Sequence, residues 1–318
     1  MLNSKEIRRR IKSINNTGKI TRAMEMVSAA KMRKSTERVL QIRAYAHAAW
    51  SVLTNLARSF DQYNYGLLEV REVKNVLIVA ITSNRGLCGS FNAQIMKKIK
   101  EEITHPEKLK VNRIGTKTIQ SHVANEDLKI DFITVGRKGE SLVKKLGREI
   151  IASFPDLTYL PGIEQVRPLS KIVIDDYLEK KYDKVVIAYT DYVSTVMQQP
   201  KIRQILPISK VDLEKQIVEM NNLAKEHGLK KPLTEYKVEP SPDAVLTHIF
   251  PRLIEMQLYH AILESNASKE SARMVAMKNA TDAAKDMSAD LTLAYNQIRQ
   301  MKITQEIAEI SAGRAALE

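Results

Sequence analysis

The stretch RLIEMQLYHAILESNASKESARMVAMKNATDAAKDMSADLTLAYNQIRQMKITQEIAEISA, residues 252–312, decides the fold of this chain. It runs for 61 residues without a Gly or a Pro, so a continuous helix here would be about 90 Å long. Apolar residues at alternating spacings of three and four predict a coiled-coil seam in its second half. The repeat comprises Ala284, Met287, Leu291, Ala294, Ile298, Met301, the polar Gln305 and Ala308. Such a helix cannot bury its seam against itself, so it requires a partner helix.

The opposite end of the chain can supply that partner. Residues 2–60 contain one Gly, Gly18, and no Pro. The apolar stripe predicted for this helix is Ile7, Ile11, Ile14, Val39, Ile42, Ala46, Ala49, Leu53, Leu56 and Phe60. Two long seams at opposite ends of one chain pair most simply as an antiparallel coiled coil, provided that a compact middle returns the chain to where it left.

The middle of the chain reads as an alternation of strands and helices. Apolar, β-rich runs predict strands at 73–82, 129–135, 183–190 and 201–208, the last antiparallel. Helical patterns at 92–103, 141–146 and 172–182 separate them, whereas residues 103–127 carry no clear signal. We therefore predict an α/β fold: a long antiparallel coiled coil plus a central, mostly parallel Rossmann-like domain. The predicted domains are 1–62, 73–208, a linker or insertion at 209–242, and 243–318.

Positive charge is concentrated at the N-terminal end. The chain has a net charge of +13, and residues 1–60 hold thirteen Lys or Arg against three acidic residues. Such a segment attracts nucleic acid, acidic lipid headgroups or an acidic protein surface, or is simply a solvated helix face. A nucleic-acid-binding coiled coil is one alternative, but the segment lacks the aromatic interleaving that base stacking needs. We therefore predict no nucleic-acid partner.

Composition and motifs argue against catalysis by this chain. Gly86 and Gly89 follow the first strand, where α/β folds bind ligands, but neither GxxxxGK[ST] nor GxGxxG is present. The turn GRKGES (136–141) is not spaced as a phosphate cradle, and we expect Cys88 to be a buried structural residue. No apolar run is long enough to span a membrane, so we expect a soluble or peripheral protein. We predict no catalytic, metal or cofactor site; the remaining alternative is a small α/β enzyme with helical arms.

Three segments together resemble the γ subunit of F-type ATP synthases. They are IRRRIKSINNTGKITRAMEMVSAAKMRKS (7–35); TSNRGLCGSFN (82–92) followed by GRKGES; and ESNASKESARMVAMKNATDAAKDM (264–287) with YNQIRQMKITQEIAEI (295–310). The resemblance covers most of the chain and is weakest at 104–127 and 209–238. The paired cysteines of the thiol-regulated chloroplast insert are absent, so redox control is not implied.

The resemblance implies a rotor shaft. In this family the terminal helices turn inside a ring of three α and three β subunits, and the α/β domain meets ε and a membrane ring of c subunits. Proton flow turns the shaft, and rotation drives ATP synthesis on β, so the chain itself is not catalytic. A bacterial member would be peripheral, on the cytoplasmic face of the cell (inner) membrane.

The resemblance also assigns residues. Arg299, Gln300 and Thr304 match positions that make polar contacts with a β loop, and Arg273 matches a conformation-coupling position. The N-terminal block that faces an acidic segment of β matches here at Met24, Lys19, Arg22, Lys31 and Arg33. The seam residues that we expect to hold the shaft together are Val39, Ile42, Leu53, Leu56, Met287, Leu291, Ile298 and Met301.

Overall fold

The computed structural model describes residues 4–56, 66–114, 117–120, 123, 127–208 and 242–315. Two long helices, α1 (Ser4–Leu56) and α5 (Pro242–Ala315), begin and end the described chain. They contain 53 and 74 residues, which confirms the long terminal helices predicted from the sequence. Pro242 stands at the first position of α5, where a missing N–H costs nothing, and Pro251 lies within that helix.

Between the long helices the chain alternates strands with shorter helices. The five strands of the main sheet are β1 (Asn75–Ile81), β4 (Lys129–Val135), β5 (Ile150–Phe154), β6 (Lys184–Tyr192) and β7 (Gln198–Leu206). The connecting helices are α2 (Phe91–Thr104), α3 (Arg137–Lys145), a short 3₁₀ turn (Pro155–Thr158) and α4 (Ile163–Leu178). A separate hairpin consists of β2 (Val111–Ile114) and β3 (Lys117–Gln120).

The main sheet has the order β5-β4-β1-β6-β7. β1 pairs in parallel with β4 and β6, β4 pairs in parallel with β5, and β7 is antiparallel to β6. The predicted mostly parallel sheet with an antiparallel last strand is therefore confirmed. Because all four parallel strands end on the same side, the loops after residues 81, 135, 154 and 192 meet at one edge, which we call the carboxyl edge.

β1 is the centre of the hydrophobic core. Leu77, Val79 and Ile81 project into a core shared with α4, the first part of α5 and Val39 of α1. Residues at the alternate positions of β1 project into a second core, beneath α2 and α3. The continuous apolar run of β1 thus reflects burial on both faces, as predicted for a central parallel strand.

The chain forms two compact units. One comprises Met1–Ala30 and Arg273–Glu318, in whose described residues the paired portions of α1 and α5 lie. The other comprises Lys31–Ala272 and contains both sheets. The domain boundaries predicted from the sequence stay predictions, because 57–65 and 209–241 lie outside the described residues.

Several elements differ from the sequence prediction. GRKGES is not a turn: only Gly136, at φ +96°, reverses the chain, and α3 begins at Arg137. β5 was not predicted, since it is a short and only half-buried edge strand. The β2–β3 hairpin lies in the stretch without a signal, because four-residue strands are too short to show a period. α4 begins before its predicted start because it accommodates Pro168, a residue that ordinarily ends a helix.

Candidate functional site

Two contacts, together with the hydroxyl pair described below, set the register between the paired parts of α1 and α5. Ser288 Oγ donates a hydrogen bond to Asn15 Oδ1 over 2.8 Å. A Cβ placed on Gly18 would lie 3.4 Å from the Cβ of Ala284. As residue numbers increase along α1, the numbers of their partners on α5 decrease. The two helices are therefore antiparallel, as predicted.

A pair of buried hydroxyls continues this register. The Oγ1 atoms of Thr21 and Thr281 are 2.7 Å apart. Thr21 Oγ1 also lies 3.1 Å from the carbonyl oxygen of Gly18, and Thr281 Oγ1 lies 2.8 Å from that of Met277. Both side chains are buried, so this bond links the helices where water is excluded. The sequence analysis does not predict this hydrogen bond, because the seam was assigned from apolar residues and threonine carries a polar hydroxyl.

The side chains facing α1 therefore differ in part from the predicted seam. Leu291 and Ile298 are half-buried, whereas Met287 and Met301 are 54% and 63% exposed. Ser288, one residue beyond Met287, is half-buried, and its hydroxyl reaches Asn15 across the helix pair. Met301 is exposed because the register carries α1 only to about residue 298 of α5.

The remaining seam residues lie in Lys31–Ala272. Val39 is buried, although it packs into the mixed core beneath the sheet rather than against α5 alone. Ile42, Leu53 and Leu56 lie on the described backbone of α1, but their side chains are outside the described residues.

The end of α5 extends beyond the start of α1. Ser4, the first described residue of α1, falls opposite about residue 298, and every residue from 299 to 314 is exposed. Gln300 and Thr304 line one shallow groove on this segment, since a spacing of four places them on the same face. Arg299 is exposed beside them. The structure thus brings the three predicted β contacts together on a solvated helix end.

The predicted N-terminal contacts are not equivalent. Lys19, Arg22 and Arg33 are exposed, whereas Met24 is half-buried on α1. The Lys31 ammonium lies 4.8 Å from the ring centroid of Tyr159, a cation–π contact. Lys31 is therefore already engaged within the chain, which no sequence pattern would indicate.

Arg273 lies on α5 well before the segment that contains Arg299, Gln300 and Thr304. It begins the α5 portion of the unit that contains the paired helices, and its side chain is half-buried.

The N-terminus of α3 lies at the carboxyl edge, where α/β folds bind ligands. The first three amides of α3 already have acceptors: Arg137 N–H donates to Asn84 Oδ1, Lys138 N–H to the Ser83 carbonyl, and Gly139 N–H to Thr82 Oγ1. A helix N-terminus binds an anion through such free amides, and these are occupied. The amides at the start of α3 therefore stabilise its junction with the loop after β1.

Cys88 is buried at this edge, as predicted, with 2% of its surface exposed. The Asn92 side-chain amide donates to its Sγ atom at 3.4 Å. Asn92 also bonds Ser83 through both its amide nitrogen and its carbonyl oxygen. Cys88 is thus part of the packing that closes the loop between β1 and α2. Among the described residues, no cluster of His, Cys, Asp or Glu could hold a metal ion.

Two long antiparallel terminal helices with an α/β domain between them define the fold class of this chain. The fold matches a chain in the rotor of the Euglena gracilis mitochondrial ATP synthase, with a TM-score of 0.59, 17% identity, and coverage of 94% of this chain and 98% of that one. It also matches a chain in the central stalk and c-ring of the Tetrahymena thermophila enzyme, with a TM-score of 0.55, 24% identity, and coverage of 82% and 99%. At these identities the likeness shows the fold alone.

Sequence comparison shows the family. The model described as ATP synthase matches residues 3–317. The chain is 39% identical over 319 residues to the ATP synthase gamma chain of Dehalococcoides mccartyi (strain CBDB1), covering 100% of both. It is 35% identical over 317 residues to that of Legionella pneumophila (strain Paris), again covering 100% of both. This chain belongs to the ATP synthase gamma-chain family. The predicted role as a non-catalytic central-stalk subunit of ATP synthase is thereby confirmed.

Proposed function

We propose that this chain turns within a ring of three α and three β subunits and carries rotation between that ring and a membrane ring of c subunits. Proton flow drives that rotation, and ATP is made or hydrolysed on β. The observation that carries the proposal is the register of the helix pair, which leaves 299–315 beyond the start of α1. A helix end with all its sides exposed is suited to contact a surrounding ring at successive angles.

Arg299, Gln300 and Thr304 are proposed to make polar contacts with a β loop. Their support is exposure on one short segment, with Gln300 and Thr304 on a common face. Exposed polar or charged contacts are worth about 0–1 kcal/mol each. Such contacts can form and break at every step of rotation, whereas a tightly bound lock could not.

Cations on α1 are proposed to guide the shaft past an acidic segment of β. Lys19, Arg22 and Arg33 are exposed, and their attraction extends over a Debye length of about 8 Å at physiological ionic strength. Met24 lies half-buried within this block. Lys31 contributes differently, since its ammonium lies on the Tyr159 ring, and we place Arg273 in the coupling between shaft and β.

The sheet unit, Lys31–Ala272, is proposed to meet the ε subunit and the c-subunit ring. This places the chain at the cytoplasmic face of a bacterial cell membrane as a peripheral subunit. Within the described residues, the helices lack a segment long and apolar enough to cross a bilayer.

The assignment of partners is tested by native mass spectrometry of the complex solubilised from membranes. We expect one copy of this chain for every three α and three β subunits, with ε and the c-ring in the intact assembly. An assembly with those subunits in which this chain is missing contradicts the proposal.

The β contacts are tested with Arg299→Ala, Gln300→Ala and Thr304→Ala, singly and together, in membrane vesicles. Each single change should lower the ratio of ATP-driven proton uptake to ATP hydrolysis by up to about fivefold, as befits a contact of at most ~1 kcal/mol. The triple variant should lose more.

Lys302→Ala is the matched control, because Lys302 is also an exposed cation of this segment but matches none of the assigned positions. An equal loss in the control and in Arg299→Ala would show that only net charge matters. That result would refute the assignment of specific contacts.

A further inference from the structure

The loop between β6 and β7, residues 193–197, is attached to both long helices within Lys31–Ala272. On α5, Ser271 Oγ donates a 2.6 Å hydrogen bond to the carbonyl of Thr195. On α1, the Tyr192 hydroxyl at the base of the loop lies 3.8 Å from the Met32 Sδ atom. We call residues 192–198, with these attachments, the strap.

The strap is internally braced. Ser194 N–H donates to the Met197 carbonyl at 2.9 Å, and Met197 N–H donates to Ser194 Oγ at 3.0 Å. The side-chain amide of Gln198 donates to the carbonyl of Thr195 at 3.0 Å. The strap is also continuous with β6 and β7, whose antiparallel pairing extends to Tyr192 and Gln198. A force applied to the strap is therefore carried into the sheet rather than absorbed by a loose loop.

The attachments lie near the points at which the chain enters and leaves the unit Lys31–Ala272. Met32 is the second residue of Lys31–Ala272, and Ser271 is its last residue but one. Lys31 adds a contact to the same part of α1 through its cation–π contact with Tyr159, on the loop that follows β5. Residues at the end of β6 and in two loops of the sheet thus contact α1 at Lys31 and Met32 and α5 at Ser271. These are the positions at which each helix leaves the unit Lys31–Ala272.

Torque applied to only one of two packed helices loads the contact between them in shear, and packed helices can slide past one another by small amounts. An element bonded to only one helix leaves the other free to slide. The strap is bonded to both, and the Ser271 hydroxyl that it engages is fully buried. Its bonds therefore oppose the sliding through which torque would otherwise be lost.

We propose that the strap is the torque clamp of this chain, with Ser271 and Tyr192 as positioning residues that fix α5 and α1 to the sheet. This inference rests on the proposed rotation of the chain. It adds the place at which rotation passes from the sheet into both helices.

The test uses the assembled complex in membrane vesicles with Ser271→Ala, Tyr192→Phe and the double variant. The matched control is Ser170→Ala: Ser170 is also buried and donates to a carbonyl, that of Arg167, but only within α4. Native mass spectrometry first establishes that each variant assembles.

Hydrogen exchange then reports whether the strap is released, and the ratio of ATP-driven proton uptake to ATP hydrolysis reports coupling. Loss of the Ser271 bond should speed exchange at residues 193–198 about fivefold, as expected for one net hydrogen bond. The coupling ratio should fall in Ser271→Ala and further in the double variant, with ATP hydrolysis retained, and should not fall in Ser170→Ala.

Faster exchange in the strap with an unchanged coupling ratio would overturn the clamp and leave the proposed rotation intact. Unchanged exchange in the double variant would also overturn it, because the named bonds would then not hold the strap. Absence of ATP-driven proton uptake in the unmodified complex would refute the proposed rotation, and the clamp with it.

Discussion

Replacing the buried hydroxyl pair of the helix pair by valine isolates one bond between α1 and α5. Valine matches threonine in shape and nearly in helix propensity, so Thr21→Val and Thr281→Val each remove a hydroxyl and little else. The two hydroxyls have two protons for three contacts, at 2.7, 2.8 and 3.1 Å. Because the Thr281–Met277 contact is shorter than the Thr21–Gly18 contact, we infer that Thr281 donates to the Met277 carbonyl and that Thr21 donates across the helix pair.

Each single variant therefore loses the same bond between the helices, worth about 1 kcal/mol net. The double variant loses that bond only once and leaves no hydroxyl without its partner. It should be destabilised by about 1 kcal/mol or less, rather than by the sum of about 2 kcal/mol.

Hydrogen exchange of the purified chain measures these values locally. Amides of residues 17–24 should exchange about fivefold faster in each single variant, and no faster than that in the double variant. Thr17→Val is the control, because the Thr17 hydroxyl bonds only the Ser13 carbonyl of its own helix and is exposed. Additive effects of the two valines would mean that the hydroxyls act independently, which would refute the bond between the helices.

Further changes test the sheet unit. Phe132→Ala empties a fully buried site in β4 and should lower the free energy of unfolding by about 3–5 kcal/mol, measured by denaturant titration. Gly136→Ala places a Cβ 2.5 Å from the Thr82 carbonyl oxygen at φ +96°; it should cost about 1–3 kcal/mol and lower the Tm. Burial raises the pKa of Tyr177 to about 12 from 10.0. The neutral Tyr177 side chain therefore makes its full contribution to the free energy of unfolding below pH 10, and that contribution declines as the pH rises toward 12. The stability of wild type should fall more steeply over that interval than that of Tyr177→Phe.

Features set by neighbouring residues could be predicted from the sequence. The long helices follow from the absence of Gly and Pro in 252–312, and the sheet follows from apolar runs that alternate with helical patterns. The exposed cations Lys19 and Arg22 were also predictable, since a charge seldom lies in a seam. Short elements escaped, because β2, β3 and β5 contain at most five residues each and show too little of a period.

The candidate contacts with β also depend partly on the sequence and partly on the tertiary structure. Motif resemblance could select Arg299, Gln300 and Thr304, but it gives no measure of how far α5 extends past α1. That follows from contacts between residues 260 or more positions apart in the chain, such as those of Thr21 with Thr281 and of Asn15 with Ser288. Apolarity alone placed Met287 on the seam, whereas hydrogen bonding across the helices favoured the neighbouring serine.

The sequence by itself determined two long helices, an α/β domain between them and a basic N-terminal end, since these depend on local periodicity and charge. Only the tertiary structure decided the register of the helices, the exposure of 299–314 and the attachment of the strap to Met32 and Ser271. The physical reason is that register and attachment depend on the pairing of particular atoms, such as a hydroxyl and a carbonyl. Residues far apart in the chain supply those atoms, and no repeat within either segment specifies which of them will meet.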